Sequence, residues 1–111
     1  MNTGSVARIL LREAVVTDLD DLAAYIQQES LENAVRFLHA AHDTFESLAR
    51  MPELGEVFPT TNSNLAGIRV WQIKGFENIL AFYRPQQGCV EIIRVLHGAR
   101  DLPALLGEPK Q

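Results

Sequence analysis

The fold is decided by the stretch IRVWQIKGFENILAFYRPQQGCVEIIRVLH, residues 68–97. It holds three apolar runs rich in β-branched and aromatic residues, which are typical of strands, at 68–73, 78–84 and 89–97. Lys74 and Gly75 separate the first two runs, and the turn-forming residues 85–88, PQQG, separate the last two. Connections this short join antiparallel neighbours, so the stretch predicts a three-stranded antiparallel meander.

Upstream of the meander, residues 12–30 predict a helix. Val15, Leu19, Leu22 and Ile26 recur at spacings of four, three and four residues, which places them on one helix face. Three aspartates stand in the first half of this segment, where the helix dipole favours negative charge.

A second helix is predicted to begin after Ser30, a good N-cap residue with Glu32 in the first turn behind it. It is predicted to end near Met51, because Pro52 disfavours a helical conformation in the residue before it. Its predicted apolar stripe consists of Ala34, Leu38, Ala41, Phe45 and Leu48. The connection between the two helices is short, so they form an antiparallel hairpin.

The remaining segments complete an α+β fold. Residues 6–11, VARILL, predict an N-terminal strand that joins the meander, residues 56–67 predict a polar loop, and residues 101–106 predict a short helical tail. The chain has 111 residues, with no internal repeat and no interdomain linker. We therefore expect a single domain over residues 1–111.

The composition excludes several classes of protein. Apolar residues make up 47% of the chain and charged residues 22%, which suits a globular domain with a real core. No apolar run approaches the roughly 20 residues of a membrane span, and the first residues lack the pattern of a secretory signal. Cys89 is the single cysteine, so we expect no internal disulfide and a cytoplasmic location.

The charges are unevenly distributed along the chain, whose net charge is −4. Residues 13–56 hold ten acidic and two basic side chains, whereas residues 67–100 hold five basic and two acidic ones. An acidic first half argues against wrapping nucleic acid over the whole surface, while the basic second half can meet phosphate or an acidic protein.

One polar cluster lies on the second predicted helix. His39 and Asp43 are four residues apart, as are His42 and Glu46, and this spacing can place two ligands on one metal ion. These residues flank the apolar stripe, and no further cysteine or histidine completes a zinc signature, so we expect a solvated face and no metal. The sequence also lacks a glycine-rich phosphate loop, and we expect no cofactor.

The basic residues of the meander are the stronger candidate site. They stand on the three predicted strands and close the last one: Arg69, Arg84, Arg94, His97 and Arg100. On antiparallel neighbours such side chains can converge into one target-binding surface. In the alternative interpretation, Arg84 and Arg100 are solvated strand ends. Arg94, inside an apolar run, then pairs with a carboxylate, and Asp101 is the expected partner.

Four stretches together resemble the RelE/ParE superfamily of bacterial toxins from type II toxin–antitoxin systems, and they are closer to its ParE branch. They are AVVTDLDDLAAYI, LARMPELG, GIRVWQIKGFENILAFYR and VEIIRVLHGARDL. The specific features are P-x-L-G after the second helix, G-x-R opening a strand, Y-R closing the next, and the terminal R-V-L-H-G-x-R-D. The resemblance runs from about residue 6 to residue 106 and implies the toxin fold of that superfamily.

The resemblance also implies a partner and a target. The partner is a cognate, ParD-like antitoxin with a ribbon-helix-helix DNA-binding part and a tail that wraps the toxin. A ParE-like member inhibits growth by binding DNA gyrase, serves in plasmid stabilization, and does not itself bind DNA sequence-specifically. Arg69, Arg84, His97 and Arg100 are then expected to contact the target, and Arg94 with Asp101 to form a structural ion pair.

The RelE branch supplies the alternative function, cleavage of mRNA on the ribosome. Its members use basic residues and often a tyrosine or histidine near the C-terminus as acid or base. The chain's two tyrosines, Tyr25 and Tyr83, both precede the tail, so a nuclease here would rely on His97 with Arg94 and Arg100. An inactive or purely regulatory member is a third interpretation.

Overall fold

The computed structural model describes residues 6–98 and residue 101. Its elements in chain order are β1 (Arg8–Leu11), α1 (Glu13–Gln27), α2 (Leu31–Arg50), β2 (Glu56–Val57), a 3-10 turn (Ser63–Leu65), β3 (Arg69–Ile73), β4 (Phe76–Gln86) and β5 (Cys89–His97). The strands form one sheet in the order β1-β5-β4-β3-β2. The predicted α+β fold, with a helical hairpin followed by an antiparallel meander, is confirmed.

The meander forms where it is predicted because glycines close its two turns. Gly75 and Gly88 have φ angles of 81° and 79°, in the left-handed region that glycine enters without steric cost. Each is the second residue of a two-residue hairpin loop, so the register of β3, β4 and β5 is fixed locally.

The N-terminal strand joins the sheet as predicted, at its edge. β1 pairs in parallel with β5, with Arg8 opposite Cys89. A parallel pair needs a long crossover connection, and the helical hairpin supplies it together with the meander. The backbone N–H of Arg12 extends the ladder by one bond, to the carbonyl of Ile92 at 3.1 Å, and α1 starts directly afterwards. This start brings α1 alongside the free edge of β5.

The second helix has the predicted ends but a different buried face. Ser30 caps α2 by accepting the N–H of Asn33 at 3.0 Å. Phe37 is fully buried, whereas Leu38 is 42% exposed, so the predicted place of Leu38 in the core is wrong. Helical spacing allows either residue to follow Ala34 on the buried face, and the position of the sheet decides between them.

Both faces of the sheet are covered. The main core lies between the hairpin and the sheet and includes Val15, Phe37, Phe45, Leu48, Tyr83 and Ile92. A smaller core on the opposite face consists of Leu65, Ile68, Phe82, Ile93 and Leu96. A bulge opposite Phe82 and Tyr83 inserts Ile93 as an extra residue, so Ile92 and Ile93 enter different cores. This arrangement explains the imperfect alternation of apolar residues in β5.

The segments on either side of the meander differ in part from the predicted loop and tail. The predicted loop at 56–67 contains β2, which pairs with β3, and the 3-10 turn that carries Leu65 into the smaller core. Asp101 has a helical backbone, but the rest of the predicted tail, 102–106, lies outside the described residues. Among the helices that the structure describes, none is long and apolar enough to cross a membrane.

Candidate functional site

The P-x-L-G motif after α2 is hydrogen-bonded to a buried tyrosine. The hydroxyl of Tyr83 donates to the carbonyl of Pro52 at 2.7 Å and accepts the N–H of Gly55 at 2.8 Å. A Cβ on Gly55 would stand 2.6 Å from the carbonyl oxygen of Val70 and 2.8 Å from the Tyr83 ring, so only glycine fits. Burial raises the pKa of Tyr83, although the bond from Gly55 acts in the opposite direction.

Arg69 closes the same loop from β3. Its Nη1 donates to the carbonyl of Gly55 at 2.6 Å and approaches that of Glu53 at 3.5 Å. The arginine of the G-x-R motif is therefore bound to backbone carbonyls of the loop after α2.

Arg84, on β4, holds a different segment. Its Nη1 donates to the carbonyls of Asn64 and Ala66, both at 3.2 Å, and its Nη2 lies 3.6 Å from a carboxylate oxygen of Glu91. Glu91 also accepts the Nε of Arg12 at 2.7 Å. That bond, together with the nearby charges of Arg12 and Arg84, lowers the pKa of Glu91.

Arg94 forms a bidentate pair with Asp18 of α1. Its Nε and Nη2 each donate to one oxygen of that carboxylate at 2.8 Å, a fork geometry that favours strong pairing. The hydrogen bonding that Arg94 donates to Asp18 raises the pKa of Arg94, with a smaller contribution from the charge of Asp101. The bidentate partner of Arg94 is therefore Asp18, whereas Asp101, the partner expected from the sequence, contributes through its charge.

The partner differs because the edge of β5 is open where α1 passes it. Beyond Ile92, β1 no longer covers this edge, and Asp18 takes its place by also accepting the backbone N–H of Val95 at 3.0 Å. Asp101 instead accepts the N–H of His97 at 3.4 Å. A sequence signal for Asp18 exists: it falls between Val15 and Leu22 on the buried face of α1, where a lone carboxylate needs a partner.

The three arginines on the strands of the meander therefore do not converge. Arg69 binds the loop after α2, Arg84 binds the loop before β3, and Arg94 binds α1. Each guanidinium is engaged by carbonyls or a carboxylate of the chain itself. Arg100, the fourth predicted arginine, lies outside the described residues.

His97 lies at the end of β5 beside an open groove of about 390 Å³. The groove is lined by Leu22, Tyr25, Ile26, Gly75, Phe76, Glu77, Asn78, Ile79 and His97. The Nδ1 atom of His97 is buried and has no hydrogen-bond partner within the described part of the chain. A polar ring atom therefore borders a mostly apolar groove.

The polar cluster on α2 shows no sign of a metal site. His42 forms an exposed pair with Glu46 at 3.3 Å, and the side chain of His42 is 69% exposed. Over residues 6–98 and 101, no three His, Cys, Asp or Glu side chains are grouped closely enough to hold a metal ion.

This arrangement, a helical hairpin packed on a small twisted sheet, is found in solved bacterial toxin–antitoxin complexes. The chromosomal ParDE system from P. aeruginosa matches with a TM-score of 0.66 at 16% identity, covering 84% of this chain and 97% of that one. The RelBE2 toxin–antitoxin complex from Mycobacterium tuberculosis matches with a TM-score of 0.56 at 22% identity, covering 87% and 97%. At these identities the likeness establishes the fold. A search of curated proteins found no significant match.

The family follows from the sequence itself. The family model described as the ParE toxin of the type II toxin-antitoxin system parDE matches residues 9–102. The chain therefore belongs to the ParE toxin family, within the RelE/ParE superfamily of type II toxins.

Proposed function

We propose that this chain inhibits DNA gyrase by binding, in the cytoplasm, and that a ParD-like antitoxin neutralises it. The observation that carries the proposal is the engagement of Arg69, Arg84 and Arg94 within the fold. A ribonuclease needs cations and an acid–base pair free to face the scissile phosphate. A binder needs only a complementary surface of fixed shape, which such internal bonds help to build.

The burial of Tyr83 supports the same choice. Tyr83 is fully buried, and its hydroxyl is bonded to two backbone groups, so it cannot reach a substrate. Tyr25 lies on α1, and the sequence contains no tyrosine after residue 83. Membership of the ParE family points to gyrase as the class of target.

The target-facing surface is proposed to include Arg69, Arg84, His97 and Arg100. Arg84 keeps 25% of its side chain exposed while it is bound to other parts of the chain. The exposed part of the side chain is therefore held in a fixed position, where the target can contact it. Mutations here should weaken inhibition in a graded way, because binding depends on a complementary surface and does not depend on one acid–base group.

A RelE-like mRNA endonuclease is the second candidate, and one observation favours it. His97 has a buried Nδ1 without a partner among the described residues, at the border of an open groove. In that case His97 would transfer the proton, with Arg94 and Arg100 near the phosphate. Arg94 would first have to leave Asp18.

Two assays with purified protein separate the candidates: gyrase supercoiling, and cleavage of mRNA on translating ribosomes. We expect supercoiling to be inhibited, with His97→Ala keeping most of the inhibition. A nuclease that uses His97 for proton transfer should instead lose about 10²–10⁴-fold in rate. His42→Ala, a change at an exposed histidine of α2, is the matched control. Ribosome-dependent cleavage that His97→Ala abolishes, with supercoiling untouched, would contradict the proposal.

A further inference from the structure

One face of the sheet carries three arginines where β1, β5 and β4 lie side by side. Leu10 of β1 is opposite Glu91 of β5, which is in turn opposite Arg84 of β4, and opposite residues of paired strands share a face. Arg8, two residues before Leu10, lies on the same face. Arg12 reaches this face by donating its Nε to Glu91 at 2.7 Å. We call Arg8, Leu10, Arg12 and Arg84 the β1 patch.

Glu91 orders the arginines of the β1 patch. Its carboxylate accepts the Nε of Arg12 and the side-chain amide of Gln86, both at 2.7 Å, and the Nη2 of Arg84 lies 3.6 Å away. The terminal nitrogens of Arg12 form no hydrogen bond with any described residue, and its side chain is 43% exposed. Arg8 is exposed, and within the described part of the chain its side chain forms no hydrogen bond or ion pair. These guanidinium groups can therefore bind a carboxylate of another molecule.

The charge and the apolar centre of the β1 patch decide which partner fits. Its three arginines are accompanied by two carboxylates, Glu91 and Glu13, which follows Arg12 in the sequence. The patch therefore has a net charge of +1 in a chain of net −4. Leu10, 45% exposed, lies between Arg8 and Arg12 along β1. Arginine around an apolar centre is typical of protein interfaces. Nucleic acid instead favours many unopposed cations, because phosphate contacts supply most of its binding free energy.

We propose that the β1 patch binds an acidic segment of the target protein. The segment places carboxylates against Arg8 and Arg12 and an apolar side chain against Leu10. The inference rests on the proposed function in one respect, that the target is a protein. It extends the proposed target-facing surface from Arg84 to β1 and adds the chemistry of the segment that the surface takes.

The test measures the affinity of the purified chain for purified gyrase by titration, together with inhibition of supercoiling. Arg8→Glu reverses a charge that has no partner among the described residues. It should weaken binding and inhibition by about 10–100-fold, because a carboxylate then faces the acidic segment. Lys74→Glu is the matched control, since Lys74 is an exposed cation in the turn between β3 and β4, at the other end of the sheet. It should leave the affinity within about twofold.

Further measurements test the chemistry of the β1 patch. Affinity should fall as salt rises from about 0.05 to about 0.5 M, because screening weakens the attraction between exposed charges. Arg8→Lys keeps the charge and should bind more tightly than Arg8→Glu. Leu10→Ser should weaken binding by about 3–10-fold, because it removes the apolar centre of the patch. Arg8→Gln is a milder variant, which serves if Arg8→Glu fails to give the circular dichroism spectrum of the parent.

The outcomes separate this inference from the proposed function. Weaker gyrase binding by Arg8→Glu, with Lys74→Glu unchanged, supports the inference. If Arg8→Glu binds and inhibits gyrase like the parent, or weakens only antitoxin binding, the inference is overturned and the proposed function stands. Self-association of the parent in light scattering that Arg8→Glu abolishes also overturns it, because the patch then binds a second copy of the chain.

A parent that does not bind gyrase refutes the proposed target, and growth inhibition after induced expression then tests the β1 patch. Full toxicity of Arg8→Glu overturns the inference. Reduced toxicity of Arg8→Glu but not of Lys74→Glu, in a parent that cleaves no mRNA, supports it. Ribosome-dependent mRNA cleavage that Arg8→Glu weakens overturns it, because the patch then contacts RNA phosphate.

Discussion

At the scale of single residues, the pair between Arg94 and Asp18 ties α1 to β5. Asp18 accepts three hydrogen bonds, two from the guanidinium and one from Val95, and its side chain is 9% exposed. Removing one member leaves the other without its charge partner. We expect Arg94→Ala and Asp18→Ala each to lower the free energy of unfolding by about 2–4 kcal/mol, below the full range for buried pairs because Arg94 keeps 29% exposure.

The measurement is urea unfolding of both single variants and of the double variant. The double variant should lose clearly less than the two single losses combined, since the pair can be broken only once. Asp18→Asn keeps the shape of the side chain without its charge and should fall between Asp18→Ala and the parent. If Arg94→Ala unfolds like the parent yet no longer inhibits its target, Arg94 has a functional role instead.

At the scale of elements, the loop between α2 and β2 is positioned by Tyr83 of β4 and by the close approach of Gly55 to the sheet. Gly55→Ala should lower the free energy of unfolding by about 1–3 kcal/mol, because the nearest atom to the new methyl group is a backbone oxygen that cannot swing away. Calorimetric unfolding measures this change. In Gly88→Ala nothing lies within 4 Å of the new methyl group, so that control reports left-handed backbone strain alone.

Combining Gly55→Ala with Tyr83→Phe isolates the contact between the new methyl group and the tyrosine hydroxyl. Tyr83→Phe removes the hydroxyl that stands 2.8 Å from the added methyl group, so the cost of Gly55→Ala should shrink in that background. An unchanged cost would mean that the clash comes from the Val70 carbonyl and from the ring carbon at 2.8 Å, which phenylalanine keeps.

At the scale of the whole molecule, stability should depend on pH through Glu91, which joins the start of α1 to the sheet. Its pKa is lowered by Arg12 and Arg84, so the folded protein holds the charged form more strongly than the unfolded chain does. This stabilisation is present above the ordinary carboxyl pKa of 4.5 and is lost as pH falls through the lowered value. Glu91→Gln should therefore lose stability at neutral pH and show a smaller further loss in acid.

Thermal melts between about pH 3 and pH 7 measure this difference. Arg12→Gln removes the strongest partner of Glu91. The melting temperature of this variant should therefore fall less than that of the parent as the pH is lowered. If the melting temperatures of the parent and of Glu91→Gln fall by the same amount in acid, other carboxylates cause the pH dependence.

The amino-acid sequence alone determined the two helices, the first strand, the meander, the α+β class and the family, because helical spacing, glycine turns and local motifs act over a few neighbouring residues. The roles of the arginines were decided only by tertiary structure. Asp18 and Arg94 are 76 residues apart, and their pairing depends on β1 ending where α1 begins to cover the edge of β5. Likewise Arg69 and Arg84 lie on neighbouring strands and are predicted to form one basic surface. Each instead donates to the carbonyls of a different loop, because those loops come within reach of the strands only when the chain is folded.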